Sequence, residues 1–76
     1  MTDYKKADAV HKTLSLEFAK AAGKLPYSWS TVDKDADGFH IRVGLYRDRT
    51  PEETQQMPDT RDGVRVKYVV DPMNLQ

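Results

Sequence analysis

The chain has 76 residues, 12 basic and 12 acidic, no cysteine and a formal charge of zero, which bounds it to one small domain near the lower limit of what a single core supports. The lack of cysteine excludes disulfide frameworks, thiolate zinc sites and cysteine nucleophiles. Charged residues make up 32%, but the two signs cancel and are interleaved, which argues against disorder by self-repulsion and against a general polyanion binder.

The first residues run into Asp3, Lys5 and Lys6 rather than an apolar signal region, and no apolar stretch approaches the ~20 residues of a membrane span. The expectation is a cytoplasmic chain without membrane contact. Over residues 5–22 the composition is rich in Ala, Lys, Leu and Glu, and Ala7, Val10, Leu14, Phe18 and Ala21 recur at spacings of three and four. That spacing puts them on one stripe of a helix. Thr2 or Asp3 can cap its start, Gly23 can take a left-handed conformation after its end with Leu25 packing back, and Pro26 blocks continuation.

After Pro26 the period changes. Tyr27 and Trp29 alternate with serines, and Thr31 and Val32 precede Asp33, Lys34, Asp35, Ala36, Asp37 and Gly38, which reads as a strand followed by a turn. Phe39, Ile41, Val43 and Leu45 then alternate with His40, Arg42, Gly44 and Tyr46, the two-residue period of a half-buried strand. The two strands are expected to form a hairpin. Thr50, Pro51, Glu52 and Glu53 have the order of a helix start: Thr caps, Pro lacks an N–H that is not needed there, and the glutamates sit at the positive end of the dipole. Pro58 confines that helix to about two turns. Asp62 and Gly63 mark another turn, after which Val64, Val66, Tyr68 and Val70 alternate with Arg65, Lys67 and Val69 until Asp71 and Pro72 stop the strand. The residues beyond read as a tail.

The predicted fold is one α+β domain over residues 1–76, in the order α-β-β-(short α)-β, with a long N-terminal helix packed on a three-stranded sheet in two layers. The stretch between Leu45 and Asp62 is long enough for a crossover to a parallel neighbour, which is preferred over an antiparallel return. This element order is similar to that of small bacterial modules such as BON domains. The similarity is of order alone, so it implies no site residues and no function.

Asp33, Asp35, Asp37 and Gly38 form the sharpest local pattern, since acids at alternate positions before a glycine can gather around calcium. An EF-hand would need a bidentate Glu where Gly44 stands and an apolar residue where His40 stands, so a turn is the preferred reading and no metal site is assigned. A second pattern is geometric. If the helix covers the face bearing Phe39, Ile41, Val43, Leu45, Val64, Val66, Tyr68 and Val70, then His40, Arg42, Tyr46, Arg65 and Lys67 emerge on the other. Arg47 and Arg49 are expected to extend that basic face, and either Tyr27 and Trp29 or the serines between them to join it.

Neither His11 nor His40 falls in a nucleophile or metal-ligand spacing, and the four glycines form no phosphate loop, so no catalytic residue and no cofactor is expected. The functional expectation is a small non-enzymatic accessory module, bacterial or phage-like from its brevity, that binds an acidic protein surface. The partner-binding candidates are Arg42, Tyr46, Arg47, Arg49, Arg65, Lys67 and Trp29. Two other readings stand beside it: nucleic acid on the same face, and a homodimer through Leu16, which points away from the apolar stripe, and a free strand edge.

Overall fold

The computed structural model describes residues 3–21 and 23–71. The apolar stripe winds as α1 (Tyr4–Lys20), whose buried residues are Ala7, Val10, Leu14 and Phe18. Asp3 is its cap, with Oδ1 accepting the Lys6 N–H at 2.9 Å, which satisfies one of the donors that a helix start leaves free. At the other end the Leu25 N–H donates to the Ala21 carbonyl at 3.3 Å. Gly23 takes φ +85°, and Leu25 is buried, the hydrophobic return expected after a glycine-terminated helix. Thr2, Ala22, the stop at Pro72 and the tail after it lie outside the described residues.

Four strands follow, one more than expected: β1 (Tyr27–Asp35), β2 (Gly38–Leu45), β3 (Thr60–Arg61) and β4 (Val64–Val70), with α2 (Glu53–Gln56) between β2 and β3. Their order in the sheet is β1-β2-β4-β3. β1 and β2 pair antiparallel from Tyr27↔Leu45 to Asp35↔Gly38, so the turn is shorter than the acid-rich run suggests and Asp33 and Asp35 are strand residues. β2 and β4 pair parallel, from Ile41↔Val66 to Leu45↔Val70, as the crossover reading requires. The extra strand arises at Asp62 and Gly63, where φ values of 52° and 81° join Arg61↔Val64. Two consecutive positive φ angles make the hairpin turn whose twist matches paired strands, and Asp and Gly are the residues that tolerate them.

The core lies between α1 and one face of the sheet. Ile41, Val43, Leu45, Val64 and Val66 are buried there with Met57 from the end of α2. Each contributes roughly 1.5–3 kcal/mol by leaving water. Phe39 and Tyr68 are only partly buried against this core, and Val70, expected beneath the helix, is 48% exposed. The reason is that β3 pairs only with Val64 and Arg65, so among the described residues the far half of β4 has no outer neighbour to cover its flank. Leu16 is 61% exposed on the outer side of α1, as its helical phase requires. Among the described residues no helix is long and apolar enough to cross a membrane.

Candidate functional site

Side chains alternate across a strand, so the face turned away from α1 carries Trp29, Thr31, Asp33 and Asp35 from β1. β2 adds Gly38, His40, Arg42 and Gly44, and β4 adds Arg65, Lys67 and Val69. The register sets these in rows: Trp29, Gly44 and Val69 side by side, then Thr31, Arg42 and Lys67, then Asp33 beside His40, and Asp35 beside Gly38. One end of the face is apolar and the other is ionic.

At the ionic end everything converges on Asp35. Opposite it stands Gly38, and the carboxylate reaches across β2 to β4. Arg65 Nη2 donates to its two oxygens at 2.9 and 3.2 Å, Lys67 Nζ donates at 2.7 Å, and the Asp37 backbone N–H donates at 2.9 Å. These donors, Lys67 foremost, hold the Asp35 carboxyl far below the usual carboxylate range. Arg65 also faces Asp37 at 3.7 Å, and Arg42 faces Asp33 at 3.7 Å.

His40 does not emerge on this face as expected. It belongs to it by register but is only 4% exposed, because the bridge from Arg65 and Lys67 to Asp35 spans the strand that carries it. Its Nδ1 lies 3.5 Å from Asp35 Oδ2 and has no hydrogen-bond partner among the described residues. Burial, followed by the charge of Lys67, lowers the imidazole pKa and favours the neutral ring.

The apolar end depends on a β-bulge. Tyr27 pairs with Leu45 while Trp29 pairs with Gly44, so β1 carries one extra residue there, Ser28. The bulge sends two aromatics to opposite sides. Tyr27 packs on Phe18 with ring centroids 5.4 Å apart, and its hydroxyl shares a 2.9 Å hydrogen bond with Ser30. Ser30 also pairs with His11 Nε2 at 2.9 Å, tying α1 to β1. Trp29 turns outward and lies across Gly44, where a Cβ would overlap its ring. The Arg42 guanidinium sits 6.0 Å from that ring, a separation at which a cation–π attraction operates.

The remaining candidates are placed elsewhere. Tyr46 lies past the end of β2, where its hydroxyl donates to the Leu25 carbonyl at 3.4 Å. Arg47 makes a bidentate pair with Glu53 at 2.9 Å for both bonds, which with the Thr50 N–H holds Glu53 down to about 2. Arg49 donates to the Met57 carbonyl at 2.6 Å and covers the Tyr68 ring at 4.1 Å. Tyr68 shares the parity of Val64 and Val66, so Arg47 and Arg49 do not extend the open face. The loop after β2 carries them into the layer of α2. The structure therefore brings together Trp29, Arg42, Arg65 and Lys67 and separates Tyr46, Arg47 and Arg49 from them.

The feature that sequence reasoning missed is the carboxylate set of the face itself. Asp33 and Asp35 share the parity of Trp29, and that parity was the available signal, but the run of acids before Gly38 reads as a turn. A hollow of about 510 Å³ lies at the outer edge of β4. Arg65 and Lys67 wall one side and Arg49 and Tyr68 the other, with Asp59 and Thr60 at its end. Among the described residues no three His, Asp or Glu side chains gather as a metal site. Compared with protein-family models, with curated proteins and with solved structures, the chain matches none.

Proposed function

We propose that the chain is a non-enzymatic accessory module of the cytoplasm that binds a partner protein on the open face of its sheet. The observation that carries this reading is that α1 covers one face of the sheet, while the other, among the described residues, is dressed only by its own side chains and has Trp29 seated across Gly44 at one end. Tryptophan and arginine are the side chains that most often anchor protein interfaces. Arg42 stands beside the indole and is held only loosely, at 3.7 Å from Asp33, so an acidic group of a partner can take over that contact. Lys67 and Arg65 keep spare donors after serving Asp35.

The carboxylates within the face weigh against nucleic acid, because Asp33 and Asp35 would lie among the phosphates that the cations attract. A homodimer through Leu16 and a free strand edge rests on one exposed side chain, which is ordinary on a folded surface, and on an edge that a second copy shares with any other extended partner.

The test is to compare what co-purifies with the intact chain, with Trp29→Ala and with Arg42→Glu, after thermal melts show that both variants fold. Both are expected to lose the partner. If both folded variants keep it, the open-face reading fails. Steep loss with salt and displacement by heparin transfer the reading to nucleic acid, and a concentration-dependent melting midpoint transfers it to self-association.

A further inference from the structure

The outer edge of β4 is only half used. β3 pairs with it through Thr60 and Arg61 alone, and the Asp59 carbonyl accepts the Val66 N–H at 2.7 Å. Backbone groups alternate in direction along a strand. The Asp71 N–H donates to Leu45 on the β2 side at 2.8 Å, so the N–H and C=O groups of Tyr68 and Val70 face outward, like those of Val66. Before Asp59 the chain has come from the other layer, where Met57 is buried and the Pro58 carbonyl accepts the Tyr68 hydroxyl at 2.9 Å. Among the described residues no strand therefore lies beside Lys67 to Val70. The hollow of about 510 Å³ reaches this edge at Lys67 and Tyr68 and adjoins Asp59 and Thr60.

We propose that this free edge takes an extended acidic segment of a partner protein as an added strand, continuing the line that β3 begins. Four residues of β4 offer roughly 13 Å of edge. Side chains of an added strand alternate between the faces. Those on the open side meet Lys67 and Arg65, and those on the α1 side meet Arg49 over Tyr68. Three cations and one carboxylate, Asp59, line the hollow, while Asp35, outside it, pairs with Lys67 and Arg65, and Asp37 faces Arg65. Lys67 gives one of its three N–H donors to Asp35, and Arg65 hydrogen-bonds Asp35 through Nη2 alone, while both Nη atoms of Arg49 are engaged by the Met57 carbonyl and Asp59. The outer edge of β1 is longer but carries Asp33 and Asp35 beside it, which disfavours an acidic strand. The proposal goes beyond the open-face reading, because main-chain groups of Tyr68 and Val70 supply the binding and Trp29 takes no part.

The probe is a capped peptide of alternating valine and glutamate, compared with a twin N-methylated on alternate backbone nitrogens and with a valine–lysine twin. The readout is amide exchange in the intact chain. The glutamate peptide is expected to slow exchange at Tyr68 and Val70 by about tenfold or more while leaving Lys67 and Val69, which face β2, unchanged. Both twins are expected not to bind. Val70→Pro removes one outward N–H at an edge position where proline is tolerated and is expected to weaken binding by about tenfold, whereas Trp29→Ala leaves it intact. The proposal is overturned if the glutamate peptide does not bind, if the N-methylated twin binds equally, or if protection appears along β1. It is also overturned if Tyr68 and Val70 become protected without peptide as protein concentration rises, which would identify a second copy as the occupant. The N-methylated twin decides the matter even if Val70→Pro fails to fold. Loss of the cellular partner by Trp29→Ala with peptide binding kept would separate the two surfaces.

Discussion

The indole of Trp29 fills the space that a side chain at Gly44 would need. Gly44→Ala is therefore expected to destabilise the fold by about 1–3 kcal/mol, the usual cost of overpacking. The chain has one tryptophan, so its emission reports the displacement and should move to longer wavelength. With Trp29→Ala as background, the same change should cost much less, since the obstacle is gone. Equal costs in the two backgrounds would show that the packing of ring on glycine is not what limits position 44.

His40 gives the fold a pH dependence with a definite sign. Its folded pKa is below the ordinary 6.5, so the unfolded chain binds the proton more readily. The stability drawn from the neutral ring is complete above 6.5 and is lost as pH falls from there toward the folded value. The groups around the ring are Asp33 and Asp35 from β1 and Arg65 and Lys67 from β4, with Arg42 on its own strand. Melting temperatures of the native chain should drop as pH falls below the ordinary 6.5, and His40→Gln should flatten that fall. An unchanged slope in the variant would assign the effect to another group.

Asp35 neutralises two cations at once, through Arg65 and Lys67. Asp35→Asn should lower the melting temperature and, because it unmasks positive charge on the open face, should give the chain retention on heparin at low salt that the native protein lacks. Retention by both proteins would mean that the face is not self-neutralised in solution.

Thr50 and Glu53 form a reciprocal capping box: Thr50 Oγ1 accepts the Glu53 N–H at 3.2 Å, and Glu53 Oε1 accepts the Thr50 N–H at 2.9 Å. Thr50→Ala is expected to cost about 1 kcal/mol in denaturant unfolding. Glu53 is held down to about 2 from an ordinary 4.5. Its contribution is fully present above 4.5 and is lost as pH falls toward 2. Acid titration of unfolding should show a shallower fall in Glu53→Gln than in the native chain.

The elements with a long period were legible before any coordinates. Ala7, Val10, Leu14 and Phe18 recur at helical spacing, and Ile41, Val43, Leu45, Val64 and Val66 alternate, so α1, β2, β4 and the buried face follow from where apolar residues fall. β3 was not legible, since two residues carry no period. The open face was half legible. Trp29 could not be assigned to a side because the bulge at Ser28 shifts the parity of β1 by one, and nothing local announces a bulge. Asp33 and Asp35 look like turn residues, yet they are stable in a strand because cations meet them from β2, at Arg42, and from β4 beyond it, at Arg65 and Lys67. The burial of His40 comes from a bridge between residues distant in sequence, Arg65 and Asp35, and has no local signature. Arg47 and Arg49 were placed on the wrong layer because alternation stops at Leu45 and says nothing of where a loop goes.

The parallel pairing of β2 with β4 sets an order of assembly. α1, β1 and β2 are neighbours in sequence and can associate through short loop closures, whereas Leu45 meets Val70 only after the α2 crossover and the Asp62–Gly63 turn have formed. During synthesis β2 is thus made before the strand that pairs with its inner edge, and the bare hydrogen-bonding groups of that edge remain available to any other extended chain until β4 arrives. The period of greatest aggregation risk is the interval before that closure.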